Sequence, residues 1–398
     1  MQGPRGTKPE EFDEVTELVN LVFHGGRLDP PTMKDNFPML FSDWNLNNLR
    51  IIVEDGKVVS HIGVSQREIS VYGCRTRVGS IGSVCTHPDY RGRGFATMLL
   101  EDTIKRLDAD GATVMVISGG RGLYQRAGCR GVGKGYNFHI SRSDLDKFPS
   151  ANNPLPPCGK GPDIEIVSYQ EAEHLKQFAE IQQREAIRFL RPMDDFKAML
   201  DVIVMRRELG QRNDVLALQR GGTCFAYMVI SIDKKRDSEE LVCRIGEYGG
   251  SRLAIMSAIK ILFGRHDFNG LIVGVLPQDT EFLYLLEALG LQPSVNTLAG
   301  TMRIINFVRL MEQFMPYIQQ RLGRKTAKAL QFKTDNGKHI FKIDAEQFII
   351  ESEADLVQLI LGTPDNAELK IMPTEGKLAE VLREILPLPF VWPGLNFV

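Results

Sequence analysis

The sequence predicts an α+β (mixed α/β) protein with two similarly built modules and a smaller third one. Three observations carry this. Apolar strand patterns in hairpins give way to a helix and a further strand between Leu49 and Ile117. The same order of elements returns between Val215 and Val275, and a helix, a hairpin and another helix follow from Thr301 to Leu361. The expected division is a first domain over 1–147, a linker over 148–163, a second domain over 164–298, and a third over 299–398 with a docked C-terminal tail.

Each element has a local reason. Phe12, Val15, Leu18, Val19 and Phe23 recur at helical spacing behind Pro9-Glu10-Glu11, an amphipathic helix. Leu49-Arg50-Ile51-Ile52-Val53 and Val58 to Val64 flank Glu54-Asp55-Gly56-Lys57, which reads as a hairpin; a third strand follows Arg77 and ends near Thr86. Phe95, Met98, Leu99, Ile104 and Leu107 lie on one side of a helix that stops at Gly111, and Thr113 to Ile117 is a short buried strand. Residues 148–163 carry five prolines and two glycines with little periodicity, the composition of a linker. Beyond it, strands at Val215–Leu218, Cys224–Ile232 and Leu241–Glu247, a helix at Arg252–Phe263 and a strand at Leu271–Val275 read as a degraded copy of the first module. Thr301 to Ile318 is expected as one helix, with Ile304, Ile305, Val308, Met311, Phe314 and Met315 on its apolar side. A hairpin turns at Asp335–Lys338, and Leu356–Leu361 is helical. The final 14 residues, Ile385 to Val398, carry no charge, three prolines and Trp392; such an end is expected to be docked rather than solvated.

Composition excludes several function classes. With 398 residues, 43% hydrophobic and 25% charged, the chain has globular proportions. Forty-eight basic against 50 acidic side chains give a formal charge of -2, so no global field attracts nucleic acid or an acidic membrane. No apolar run reaches the roughly 18 residues of a membrane helix. Six cysteines without a C-x-x-C pair, and seven scattered histidines, point to a reduced cytoplasmic protein with no metal site.

The informative stretch is Val84-Cys85-Thr86-His87-Pro88-Asp89-Tyr90-Arg91-Gly92-Arg93-Gly94-Phe95-Ala96, which runs from a strand into a helix. Two glycines and two arginines between them let backbone N–H groups at the helix start converge on one anion, aided by the helix dipole. The pattern [Q/R]-x-x-G-x-[G/A] arises about 0.4 times by chance in a chain this long. Arg130-Gly131-Val132-Gly133-Lys134-Gly135 matches it as well, but precedes the strand pattern Tyr136–Ile140 and so lacks a helix N-terminus. A dinucleotide fingerprint fails because Thr97 stands where its third glycine belongs, and a nucleoside triphosphate loop fails for want of G-K-[S/T].

These residues resemble the GNAT superfamily of acyl-coenzyme A N-acyltransferases, over about residues 1–145. The resemblance implies that the strand bearing Val84, Cys85 and Thr86 parts from its neighbour to pair with the pantetheine arm. It implies that Arg91, Gly92, Arg93, Gly94, Phe95 and Ala96 hold the pyrophosphate, with Ser118 also on the coenzyme. Leu123-Tyr124-Gln125-Arg126-Ala127-Gly128 looks like the family's Y-x-x-x-G element, whose Tyr hydroxyl faces the coenzyme sulfur. The three-part layout resembles the enhanced intracellular survival group, with a second domain lacking the cradle and a last domain like the sterol carrier protein fold. Here Glu247-Tyr248-Gly249-Gly250-Ser251 stands in place of the arginine-rich loop. That group implies that the Val398 carboxylate is the general base and that the chain forms a homo-oligomer, with a hexamer as the assembly it suggests.

The expected reaction is attack of a primary amine of a small cationic acceptor (an aminoglycoside, a polyamine or lysine) on acetyl-coenzyme A. An ammonium cannot attack, so a carboxylate must take its proton, and Tyr124 is a competent donor to the departing thiolate. Asp29, Asp43 and Trp44 are candidates to line the acceptor pocket. The competing class is a non-catalytic acyl-coenzyme A or lipid sensor, with the last domain as ligand carrier. Nucleic acid and membrane partners are not expected.

Overall fold

The structure, a computed structural model, describes residues 1–26, 29–148, 163–235 and 238–398. The chain divides into two compact units, one joining Met1–Gly133 with Thr297–Val398 and the other spanning Lys134–Asn296.

The first unit begins with β1 (Gln2–Gly6), α1 (Phe12–His24), α2 (Met33–Asn36), β2 (Leu49–Glu54), β3 (Lys57–Val71), β4 (Cys74–Thr86), α3 (Phe95–Ala109), β5 (Ala112–Ile117) and α4 (Gly122–Arg126). The expected hairpin turns at Asp55-Gly56, both at positive φ, the backbone that a two-residue connection demands. Side-chain alternation splits β2 between two cores. Ile51 and Val53 pack with Phe12, Val15, Leu18 and Val19 of α1, whereas Ile52 packs with Phe95, Leu99, Leu100 and Leu107 of α3. The sheet is thus covered by a helix on each face.

The second unit contains β6 (Gly135–Ser141), β7 (Glu165–Ser168), α5 (Glu171–Arg184), β8 (Ile187–Phe189), α6 (Met193–Glu208), β9 (Asn213–Arg220), β10 (Thr223–Lys234), β11 (Leu241–Gly250), α7 (Arg252–Arg265), β12 (Gly270–Val275), α8 (Thr280–Ala288) and β13 (Ser294–Asn296). Its sheet runs β13-β6-β12-β11-β10-β9-β7. The strand expected at Tyr136–Ile140 is present, but it pairs with β12 (Phe138 opposite Val273) and lies in the second unit rather than in a first domain reaching residue 147. Which sheet edge a strand joins is a non-local matter that composition does not encode. The expected linker itself falls outside the described residues except for Phe148 and Asp163.

The chain then returns to the first unit with β14 (Thr301–Ile304), α9 (Phe307–Gln313), α10 (Met315–Ala329), β15 (Leu330–Asp335), β16 (Lys338–Ile343), β17 (Glu346–Ile350), α11 (Glu353–Leu361), α12 (Glu368–Ile371) and α13 (Lys377–Ile385). The single helix expected over Thr301–Ile318 is corrected. Its first four residues form β14, which pairs antiparallel with β5 from Thr301 opposite Ile117 to Ile304 opposite Val114. A short apolar run fits strand or helix equally well, and the open edge of β5 decides in favour of strand. The Asn306 side chain then accepts a hydrogen bond from the Arg309 amide and caps α9. The first sheet accordingly reads β1-β2-β3-β4-β5-β14. A three-stranded sheet, β15-β16-β17, follows the expected hairpin at Asn336-Gly337.

The C-terminal tail is docked. Leu386, Leu388, Phe390 and Val391 are buried, and the Leu388 amide donates to the Ile360 carbonyl at 2.7 Å. Among the described residues no helix is long and apolar enough to cross a membrane.

Candidate active site

The site grows from a parting of two parallel strands. β4 and β5 pair from Val78 opposite Val114 to Ile81 opposite Ile117, and there the ladder stops. β4 continues to Thr86 while β5 ends, so the β5-facing backbone edge of Gly82 to Thr86 has no strand beside it. On its other edge β4 pairs with β3, where His61 faces Cys85 and Gly63 faces Gly82. Two steps along β3 therefore match three along β4. The extra residue makes a bulge at Ser83, which takes φ 55, uncommon for a residue with a side chain. Bulges bend a strand and leave backbone groups unpaired, which suits a strand that must receive an extended ligand. Val84 packs towards α3 and Cys85 towards α1, so both offer the cleft their backbone. Burial pushes the Cys85 thiol up to about 12, which removes it as a nucleophile at neutral pH.

The cradle follows. The His87 amide donates to the Val59 carbonyl at 2.9 Å, anchoring the loop to β3. Gly92 and Gly94 adopt φ 78 and φ 81, a backbone that glycine enters without steric cost. A Cβ at either would meet nothing within 4 Å, so conformation, not crowding, demands glycine here. Gly94 is the N-cap of α3, and no side chain caps the first-turn N–H groups, which have the positive end of the helix dipole behind them. The two arginines differ. Arg91 is exposed, its Nε donating to the Thr86 carbonyl at 3.3 Å. Arg93 instead pairs with Glu54 at 2.6 Å and lies 5.0 Å from the centre of the Phe95 ring.

Across the cleft, Ser118 is exposed just past the end of β5. Tyr124 projects from α4 into the α3-side core and is 4% exposed; a Cβ at Gly119 would lie 3.5 Å from its ring. Burial raises the phenol above its ordinary value against the lowering effect of the Arg121 charge, so Tyr124 keeps its proton at neutral pH.

Val398 completes the arrangement. A Cβ at Gly82 would lie 2.8 Å from the Val398 carboxyl carbon, so the chain end rests on the bulged strand and only glycine leaves it room. The half-buried Val398 side chain packs with the α1-side core, alongside Leu40, Phe41 and Cys85. Sequence reasoning missed Gly82, Ser83 and His61. Glycines at 79 and 82 within one strand were a readable sign of close approach; the others left no local signal. His61 is fully buried beside Phe41, and neither ring nitrogen has a hydrogen bond of ordinary geometry. Burial lowers its pKa to about 3, the Arg50 backbone offsetting this only in part. Asp29, Asp43 and Trp44 are exposed, and the Trp44 ring already carries the Arg67 guanidinium at 5.5 Å. Among the described residues no cluster of His, Cys, Asp and Glu is suited to a metal ion.

A parted β4/β5 pair, a glycine-rich loop opening a helix, and a tyrosine on the short α4 beyond β5 define the class of the domain. Residues 4–132 match the acetyltransferase (GNAT) domain, so this part of the chain is a GNAT domain. The domain is of the acyl-coenzyme A N-acyltransferase class, which uses acetyl-coenzyme A as cosubstrate.

Solved structures share the fold over nearly the whole chain. A GCN5-related N-acetyltransferase from Anabaena variabilis superposes with TM-score 0.63 at 14% identity, covering 95% of each chain. A probable N-acyltransferase from Enterococcus faecalis gives TM-score 0.63 at 14% identity, covering 97% of this chain and 96% of that one. Eis1 from Mycobacterium abscessus gives 0.60 at 12% identity, covering 95% and 94%. No curated protein sequence matches the chain significantly.

Proposed function

We propose that the protein transfers the acetyl group to a primary amine of a small cationic acceptor, an aminoglycoside, a polyamine or a lysine side chain, by direct attack on the thioester. The observation that carries this is the Val398 carboxyl group resting on Gly82, at the head of the parted strands. The carboxylate takes a proton from the acceptor ammonium. The freed nitrogen attacks the thioester carbonyl, the carbon–sulfur bond breaks, and the departing thiolate receives the Tyr124 proton; the second proton that the nitrogen sheds on becoming an amide restores Tyr124, and the proton on Val398 passes to solvent. Backbone groups of Val84 to Thr86 align the pantetheine arm with Ser118 opposite, while Arg91 and the amides from Gly92 to Ala96, with Arg93 once it leaves Glu54, bind the pyrophosphate. Holding amine and thioester together removes the entropy of a bimolecular encounter.

The same reading assigns the chain to the enhanced intracellular survival group, with residues 299–398 as a sterol-carrier-like segment and a homo-oligomeric, hexameric assembly in the cytoplasm. The full-length likeness to Eis1 from Mycobacterium abscessus supports the group assignment.

Thiol release measured with a panel of aminoglycosides, polyamines and lysine peptides tests the activity. Appending one glycine after Val398 moves the carboxylate; the expected result is a turnover at least about 100-fold lower with unchanged acetyl-coenzyme A affinity. Full turnover in that variant removes Val398 as the base.

A further inference from the structure

The segment that carries Tyr124 is held by a part of the chain that begins 182 residues after Gly119. The Thr301 hydroxyl donates to the Gly119 carbonyl at 2.8 Å, ahead of α4. The Met302 amide donates to the Arg130 carbonyl at 2.8 Å, and the Arg130 amide returns a bond to the Met302 carbonyl at 3.0 Å. Between these, the Arg303 guanidinium donates to the Ala127 carbonyl at the C-terminal end of α4. Three consecutive residues of β14 thus grip the front, end and exit of the Tyr124 segment. The Cys129 amide then donates to the Tyr124 carbonyl at 2.9 Å, tying the gripped turn to the tyrosine itself.

Arg303 is also held from behind. Its second nitrogen lies 3.2 Å from a Glu353 oxygen at the start of α11, and the same oxygen lies 3.5 Å from His339 Nε2 on β16. Gly128 takes φ 83, and a Cβ there would lie 2.6 Å from Glu353 Cβ, so the turn and the glutamate are in close contact. Burial works to raise the Glu353 carboxyl, but the His339 hydrogen bond and the Arg303 charge outweigh it and keep the group ionised. A planar guanidinium held at two points has little freedom to swing.

We propose that Arg303 is a positioning residue for Tyr124: braced by Glu353 of the last segment, it locks the end of α4 so that the phenol stays set towards the cleft. This rests on the reading of Tyr124 as proton donor.

The test is turnover of Arg303→Met and Arg303→Lys, each in the native background and combined with Tyr124→Phe, with KM for acetyl-coenzyme A and thermal unfolding recorded in parallel. Expected for Arg303→Met are a kcat about tenfold or more lower, an acetyl-coenzyme A KM within about twofold, partial recovery with Arg303→Lys, and no further loss once Tyr124 is Phe. An equal loss in both backgrounds overturns the positioning role and leaves Tyr124 as donor. Full turnover in Tyr124→Phe alone overturns the donor reading and this proposal with it. Should Arg303→Met not fold, Glu353→Gln keeps the shape and removes the bracing charge; a kcat loss confined to the Tyr124 background supports the proposal, and an unchanged kcat overturns it.

Discussion

The two sheets part at corresponding places, and only one parting stays open. The β4–β5 ladder ends at Ile81 opposite Ile117, and the β11–β12 ladder ends at Ile245 opposite Val273. After β4, eight residues containing two left-handed glycines lead into α3; after β11, Ser251 alone precedes α7. The donors that are free in the first case are satisfied internally in the second. The Ser251 hydroxyl accepts from the Ala254 amide, and Arg252 pairs with Glu185 at 2.7 Å and with Asp279 at 2.9 Å. The Tyr248 hydroxyl also donates to Asp279 at 3.0 Å. Carboxylates of the protein itself thus stand near the helix start, whereas in the first unit the start of α3 has no side-chain cap. The lesson is physical: an anion site persists only where donors are left unpaired on a backbone that glycine holds open.

Substitutions at the two partings break this comparison most sharply. Gly82 and Gly246 each follow the last paired residue, but a Cβ at Gly82 meets Val398 whereas one at Gly246 finds its nearest neighbour at 3.9 Å. Gly82→Val is expected to lower turnover by about 100-fold or more, the scale of a lost general base. Gly246→Ala is expected to leave turnover unchanged; steady-state thiol release reads both. Next in size is Arg191→Met. It strands Glu247, which Arg191 holds by two bonds of 2.6 and 2.8 Å and Tyr227 by a third. The expected cost is about 3–5 kcal/mol in denaturant unfolding of the second unit, with acetyl-coenzyme A affinity unaltered.

The first unit buries a histidine on β3 with no hydrogen bond of ordinary geometry, where the second unit holds ion-paired groups. His61 is neutral when folded, its pKa lowered to about 3, whereas the unfolded chain takes up a proton near its reference value of about 6.5. The unfolded state therefore binds more protons between these values. His61 contributes stability that is full above about pH 6.5 and is lost, at up to about 1.4 kcal/mol per pH unit, as pH falls towards 3. His61→Leu is expected to flatten that part of the stability–pH curve. The smallest effect is Ser251→Ala, expected to cost about 1 kcal/mol as a lost cap, with no gain of coenzyme binding by the second unit.

Much of this was legible. The Arg91–Ala96 stretch announced a strand-to-helix turn because strand, left-handed glycines and helix start are contiguous in sequence. The uncharged Ile385–Val398 tail announced its docking because fourteen residues without charge gain nothing in water. The exchange of strands was not legible: Tyr136–Ile140 and Thr301–Ile304 are ordinary apolar runs, and nothing local says which sheet edge each joins. The Arg303–Ala127 bond was hidden for the same reason, as was the burial of His61, which reads in sequence as one polar residue in an apolar strand.

The central claim is that one of the two partings, the first, takes acetyl-coenzyme A. Isothermal titration of the intact protein tests it directly. The account predicts one molecule bound per chain, with binding abolished by Gly94→Val and retained in Ser251→Ala. No binding by the folded protein, or binding that survives Gly94→Val, would contradict it.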